Sequence, residues 1–189
     1  MSQPSILVVD DEPIIRMDIR EMLENEGYFV VAEAKNGEEA VALAHKHKPD
    51  LIIMDVKMPM LNGIKATEII RKFTDASILL LTAYSQKELV QDARNAGVTA
   101  YLVKPISEED LIPAVEIALS QKEQMDSLKK DINDLKQKFE ERKTIERAKG
   151  KIMDQQALGE EAAYRWMQQQ SMQRRMSLVK LAEEILAEQ

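Results

Sequence analysis

The chain contains no cysteine, which excludes disulfides, thiol catalysis and cysteine-ligated zinc or iron–sulfur sites. Its two histidines, His45 and His47, lie in a polar stretch typical of a solvated helix end, so a histidine metal site is not expected. No apolar run is long enough to span a membrane, and the N-terminus has no signal-peptide pattern. We therefore expect a cytoplasmic protein with no membrane partner.

Acidic and basic residues are unevenly distributed along the 189 residues, whose net charge is −7. Residues 1–121 contain 12 basic and 20 acidic side chains, whereas residues 142–189 contain 9 basic and 7 acidic ones. An acidic first part and a basic last part indicate different partners for the two ends of the chain.

Four short apolar runs end in polar side chains. Such runs are typical of buried strands in a parallel sheet. The carboxyl ends of parallel strands meet at one edge, so we expect these polar side chains to form one site. They are Asp10 and Asp11 after Ile6–Val9, Asp55 after Leu51–Met54, Thr82 after Ile78–Leu81, and Lys104 with Pro105 after Tyr101–Val103.

Strands alternate with helical patterns throughout the first 121 residues. This order predicts an α/β fold with a doubly wound, five-stranded parallel sheet. The predicted strands cover residues 5–10, 28–32, 51–55, 77–81 and 99–103. The predicted helices begin at Pro13, after Asn36-Gly37, after Asn62-Gly63, near residue 86 and at Ser107.

The helix that begins at Ser107 is predicted to continue far beyond the sheet, because its first glycine is Gly150. Apolar residues at spacings of three and four form a coiled-coil seam in its middle, over residues 122–139. Asp131 and Lys136 occupy flanking positions that would attract each other across a parallel homodimer. The alternative is that the seam packs on the chain's own C-terminal helices. The seam residues are Met125, Leu128, Ile132, Leu135 and Phe139.

The strand-end site has the residue types that phosphoryl transfer to a carboxylate requires. Crowded carboxylates are a hard oxygen donor set suited to Mg²⁺, and an aspartate can act as the nucleophile. Asp55 is the candidate nucleophile, while Lys104 and Thr82 could contact phosphoryl oxygens. Pro105 after Lys104 favours a cis peptide bond.

The motifs Val9-Asp10-Asp11-Glu12, Met54 to Pro59, Leu81-Thr82-Ala83 and Val103-Lys104-Pro105 resemble those of two-component receiver domains. The resemblance implies a flavodoxin-like receiver over residues 1–121, phosphorylated on Asp55 by a sensor histidine kinase. It implies Mg²⁺ ligation by Asp10, Asp11, Asp55 and the Lys57 carbonyl. It also implies that Thr82 and Tyr101 form a switch pair in which Tyr101 rotates inward.

The last third of the chain is predicted to be helical, with helices near 160–170 and 174–187 after a break at Gln155 to Gly159. Five cations within ten residues are by themselves most often a solvated helix face, but further cations at Arg165, Arg174, Arg175 and Lys180 favour a polyanion partner. Tyr164 could stack on a base, whereas Trp166 is expected in the core. Periodicity leaves open whether the partner is RNA or, through a helix-turn-helix, DNA. The candidate RNA-binding residues are Arg142, Lys143, Arg147, Lys149, Gly150, Lys151, Tyr164, Arg165, Arg174 and Arg175.

The run Arg142 to Met153, followed by Ala163-Tyr164 and Arg174-Arg175, resembles the ANTAR domain, here over residues 130–189 and overlapping the seam. This family implies binding to RNA hairpins in an mRNA leader and transcription antitermination. The whole chain is similar to antitermination response regulators of ethanolamine utilisation. The expected function is thus a phosphorylation-activated antiterminator that is not an enzyme. The alternatives are a DNA-binding response regulator and a phosphatase using aspartyl phosphate.

Overall fold

A computed structural model describes residues 3–83, 91 and 95–187. The chain divides into two compact units, Met1–Asp126 and Ser127–Gln189. Within the described residues, no helix is both long enough and apolar enough to cross a membrane.

The first unit contains a parallel five-stranded sheet. Its strands are β1 (Ser5–Val9), β2 (Phe29–Ala34), β3 (Leu51–Asp55), β4 (Ser77–Thr82) and β5 (Ala100–Val103). Their spatial order is β2-β1-β3-β4-β5. The chain adds β2 on one side of β1 and the later strands on the other side, which places the topological switch point between β1 and β3. This is the predicted doubly wound, flavodoxin-like α/β architecture, and the prediction of fold class is confirmed.

Helices α1 (Pro13–Asn25), α2 (Gly37–His47) and α3 (Gly63–Ile70) connect the strands. The side chains of Asn36 and Asn62 cap α2 and α3 by accepting hydrogen bonds from the backbone N–H groups of Glu39 and Lys65. The helix predicted near 86–96 lies outside the described residues, apart from positions 91, 95 and 96.

Apolar clusters cover both faces of the sheet. One contains Ile52 and Ile78 and packs against α2 and α3, and the other contains Ile53 and Leu79 and packs against α1 and the helix that follows β5. Burial of successive residues on opposite faces explains why β3 is a continuous apolar run. That run brings Asp55, at its end, to the edge of the core.

Helix α4 (Glu108–Gln156) is the long predicted helix, and Pro113 lies in its second turn. In the second unit, α4 packs with α5 (Glu160–Arg174) and α6 (Leu178–Ala187) around Ala148, Met167 and Leu181. The prediction that the last helix begins at 174 is wrong. Arg175 instead ends α5 in the left-handed conformation (φ 54°), and the Ser171 hydroxyl donates to the Met176 carbonyl across the turn.

Candidate functional site

The carboxyl ends of β1, β3, β4 and β5 bring together the polar side chains that the sequence placed at four strand ends. Asp10 follows β1 and is fully buried, and Asp55 ends β3 with 5% of its surface exposed. Thr82 ends β4 and is buried. The backbone N–H of Lys104 donates to the Thr82 carbonyl at 2.8 Å, which holds the end of β5 beside the end of β4.

The Lys104 ammonium joins the two buried carboxylates. Its Nζ lies 2.6 Å from Asp10 Oδ2 and 2.9 Å from Asp55 Oδ1. Asp10 Oδ1 also accepts the backbone N–H of Glu12 at 3.0 Å. The peptide bond between Lys104 and Pro105 is cis, as predicted.

The electrostatic balance at this edge of the sheet follows from burial and from that ion pair. Burial raises the pKa of the Asp55 carboxyl above its usual range, although the hydrogen bond and charge of Lys104 and a backbone hydrogen bond from Lys57 act in the other direction. Burial by itself lowers the pKa of Lys104, but its hydrogen bonds to Asp10 and Asp55 and their charges raise that pKa overall. A cation held beside Asp55 stabilises negative charge that arrives there.

The predicted metal ligands are not arranged as a ready three-carboxylate site. Among residues 3–83, 91 and 95–187, no three His, Cys, Asp or Glu side chains are placed to hold a metal ion. Asp11 is exposed, while Asp10 and Asp55 both engage Lys104, whose ammonium supplies the positive charge between them. The donors themselves, carboxylate and carbonyl oxygens, are of the type that Mg²⁺ accepts.

The remaining predicted receiver residue, Tyr101, points outward from β5 and is 46% exposed. The sequence did not single out Arg16, whose guanidinium donates to the Asp10 carbonyl at 2.7 Å and pairs with Glu33 at 3.4 Å. One signal was available, because Arg16 lies one helical turn after the Asp10–Glu12 motif on α1.

Gly63 sits against the backbone of the phosphoacceptor candidate. A Cβ at this position would lie 2.2 Å from the Asp55 carbonyl oxygen, and the Gly63 N–H donates to the Val56 carbonyl at 3.0 Å. Room for a side chain at position 63 can only be made by moving the backbone segment that carries Asp55. Glycine is therefore required here for close approach of two backbones.

We expect Gly63→Ala to lower the free energy of unfolding of the first unit by about 1–3 kcal/mol, the usual cost of overpacking, and to slow phosphorylation of Asp55. Urea unfolding and the rate of phosphorylation by a small phosphodonor measure the two effects. Lys65→Ala is the matched control, because Lys65 is exposed on the same helix. If Gly63→Ala unfolds and reacts like the control, the loop accommodates a methyl group without strain and this account of Gly63 is wrong.

In the second unit, the predicted basic residues differ in their exposure and in the groups that they contact. Arg142, Lys143 and Arg147 are exposed on α4. Lys151 donates to the Ile185 carbonyl at 2.8 Å, in the last turn of α6. Arg165 pairs with Glu161. Arg174 pairs with Glu184 at 3.5 Å, and Arg175 is exposed.

Lys149 differs most from its predicted role as a phosphate contact. It is 7% exposed, and its Nζ lies 2.5 Å from Glu146 Oε2 and 2.8 Å from Glu160 Oε1. The hydrogen bonds to Glu146 and Glu160 raise the pKa of Lys149, and Lys149 in turn lowers that of Glu160. Lys149 therefore ties the start of α5 to α4 and is not part of an exposed cationic surface.

Gly150 has no heavy atom within 4 Å of the position where a Cβ would stand. It is therefore not a site where two helices of this chain pack closely. Trp166 packs against the core of the unit, as expected. Tyr164 is 39% exposed.

A groove of about 740 Å³ runs between α4 and the first turns of α5. The sequence did not indicate it, because its walls come from two helices separated by a turn. The lining includes Tyr164 and Ile145 and is otherwise charged, with Lys138, Arg142 and Lys149 facing Glu141, Glu146, Glu160 and Glu161.

Comparison with protein families agrees with this division of the chain. Residues 6–116 match the response regulator receiver domain, and residues 133–186 match the ANTAR domain. The chain belongs to the response regulators. Its receiver domain implies a phosphodonor histidine kinase as partner, and its ANTAR domain implies RNA binding, in a family of regulators rather than enzymes.

Relatives of this response regulator include the transcriptional regulatory protein PdtaR of Mycobacterium tuberculosis, 48% identical over 96% of this chain and 88% of the relative. Among solved structures, a CheY-like receiver from Methanospirillum hungatei is 30% identical, with a TM-score of 0.62 over 66% of this chain and 99% of that one. The CheX-CheY-BeF3-Mg²⁺ complex of Borrelia burgdorferi is 27% identical, with a TM-score of 0.57 over 59% of this chain and 85% of that one. The resemblance to ethanolamine-utilisation regulators stays a prediction.

Proposed function

We propose that this response regulator is an RNA-binding antiterminator that phosphorylation of Asp55 activates. The observation that carries the proposal is that one chain contains both a phosphoacceptor site and an RNA-binding domain. A buried carboxylate at a strand end, held by Lys104 at 2.9 Å, precedes an ANTAR domain with exposed Arg142, Lys143 and Arg147. The first part receives the signal and the second contacts the transcript.

Asp55 acts as the nucleophile toward the phosphoryl group of the kinase. Its carboxylate attacks phosphorus, the bond to the donor breaks, and the product is an aspartyl phosphate. Lys104 then neutralises charge on the transferred group, and Thr82 donates its hydroxyl to a phosphoryl oxygen. Mg²⁺ held by Asp10, Asp11, Asp55 and the Lys57 carbonyl would neutralise further phosphoryl oxygens. The Mg²⁺ of the related CheY complex supports this assignment.

Activation is proposed to proceed by dimerisation through the seam. Leu128, Ile132, Leu135 and Phe139 are each at least half exposed in the second unit, so they do not pack on this chain's own C-terminal helices. Burial against a second copy would remove this apolar surface from water. Two RNA-binding ends would then be held together on one transcript.

On the RNA-binding surface, Arg147 is expected to contact a phosphate, whereas Lys149 supports the fold. Arg147→Gln should therefore lower the dependence of log affinity on log salt by about 0.7 units for each copy of the chain that binds RNA, the value for one single-strand phosphate contact. Lys149→Gln should leave this slope unchanged and lower the thermal stability of the second unit, because it removes the link between α4 and Glu160. If Lys149→Gln changes the salt dependence of RNA affinity as much as Arg147→Gln does, these different roles for the two residues are wrong.

The measurement is the affinity of phosphorylated full-length protein for hairpin RNA across a salt series, with duplex DNA as competitor. Tyr164→Ala should cost about 1–3 kcal/mol if a base stacks there, with little change in slope. If duplex DNA of unrelated sequence competes as well as hairpin RNA, the antiterminator proposal fails and the surface binds polyanions generally.

A further inference from the structure

The seam has a definite orientation if a second copy of this chain covers it. With Met125, Ile132 and Phe139 at the a positions and Leu128 and Leu135 at the d positions, both e positions are lysines, Lys129 and Lys136. An antiparallel pair would place these e positions against each other, lysine on lysine. A parallel pair instead places Asp131, a g position, against Lys136 of the partner subunit. Over residues 125–136, charge complementarity therefore favours a parallel homodimer.

The apolar seam ends at Phe139, and cations follow it on the same face of α4. Lys138 is at g, Arg142 at the next d and Lys143 at the next e, and all three are exposed. The acids between them, Glu140 and Glu141, are at b and c, which face away from a partner helix. In the part of the chain that the structure describes, Lys138 and Arg142 have no ion pair, and Lys143 only approaches Glu140 at 3.7 Å.

The two copies of α4 must separate just after these cations. The d position that follows Arg142 is Lys149, which α5 of the same chain covers through Glu160 at 2.8 Å. The a position between them, Glu146, is held by Lys149. A parallel coiled coil therefore ends in a fork, and Lys138, Arg142 and Lys143, here called the fork residues, line it from both sides.

We infer that the parallel dimer carries a composite anion site at this fork, made of the fork residues of both copies, and that it binds the sugar–phosphate backbone of RNA. The inference rests on the proposed function and locates a contact that neither copy forms alone. Six cations that face one another in this way repel, and a bound chain of phosphates removes that repulsion. Lys138 and Arg142 also line the groove that contains Tyr164.

The test compares Arg142→Gln with Lys130→Gln in full-length protein phosphorylated at Asp55. Both variants lose one positive charge from an exposed position of α4, but Lys130 is at f, on the outer face of the coiled coil. Sedimentation equilibrium without RNA measures the dimer dissociation constant. Fluorescence anisotropy across a salt series measures binding of an RNA probe with two stem-loops joined by a single strand.

The composite site predicts effects of opposite sign. Arg142→Gln should tighten the dimer without RNA, because two facing charges are removed, and it should weaken RNA binding. Each dimer loses two phosphate contacts, so the salt slope should fall by about 1.4 units and affinity at physiological salt by about tenfold. Lys130→Gln should change none of these quantities. Lys138→Gln should repeat the result of Arg142→Gln.

Three outcomes would overturn the inference, and they separate it from the proposed function. A slope change of only about 0.7 units would mean that Arg142 contacts one phosphate in one copy. Equal behaviour of Arg142→Gln and Lys130→Gln would mean that no anion occupies the fork. In both cases the wild type still binds RNA and only the composite site fails. If the phosphorylated wild type binds no RNA, the proposed function fails and the composite site fails with it.

Discussion

Asp55→Asn is expected to abolish formation of the acyl phosphate while leaving the fold intact. The amide has the shape of the carboxylate but is a far poorer nucleophile, and Asp55 is the buried carboxylate that lies 2.9 Å from the Lys104 ammonium at the end of β3. The amide also carries no charge, so burial of this side chain costs less than in the wild type. Loss of reaction should therefore occur without loss of stability.

The measurement is intact mass after treatment with a small phosphodonor and Mg²⁺. The wild type should gain the mass of one phosphoryl group, and Asp55→Asn should gain none. Asp134→Asn is the control, because it makes the same chemical change at an exposed position of α4 in the second unit. A stable phosphorylated species on Asp55→Asn would place the phosphoacceptor elsewhere in the chain.

Ile132→Asp is expected to keep the phosphorylated protein monomeric. Ile132 lies in the centre of the seam and is half exposed in the single chain, so an aspartate there is tolerated by the monomer. In a dimer the same carboxylate would be buried against a second one, at a cost of several kcal/mol. Because about 1.4 kcal/mol corresponds to a factor of ten, the dimer dissociation constant should rise by two orders of magnitude or more.

Sedimentation of the phosphorylated proteins measures this effect. Asn133→Asp is the matched control, since it introduces the same side chain one residue away, at a b position that faces solvent. The control should dimerise like the wild type. Undiminished dimerisation of Ile132→Asp would move the interface from α4 to the surface of the receiver.

Much of the receiver could be predicted because its three central strands, β1, β3 and β4, are buried on both faces. Such strands appear as continuous apolar runs, and the residue at which a run stops is the residue that reaches the sheet edge. Asp10, Asp55, Thr82 and Lys104 were identified at the ends of such runs, and the parallel sheet brings the ends of their four strands together. The bonds from Lys104 to Asp10 and Asp55 were not predictable, because they join residues that are far apart in sequence and depend on side-chain positions.

The helical second unit was less predictable. Its core residues, such as Ala163 and Met167, follow from helical periodicity, whereas the end of α5 depends on the left-handed conformation of Arg175 and on one hydroxyl contact. Such local contacts compete with continuation of the helix. The differences in free energy are small and cannot be inferred from the amino-acid composition. The helix was therefore predicted to start four residues too early.

The sequence by itself determined the fold class, the four polar strand ends, the heptad seam and the presence of a basic segment, because each depends on the order and spacing of residues along one element. The tertiary structure decided which basic residues are available to a ligand. Lys149 and Arg147 are two residues apart and look equivalent in the sequence. Folding α5 against α4 brings Glu160 to Lys149 and leaves Arg147 in solvent. The charge that a cation offers to a partner depends on the acids packed beside it, and these come from a different helix.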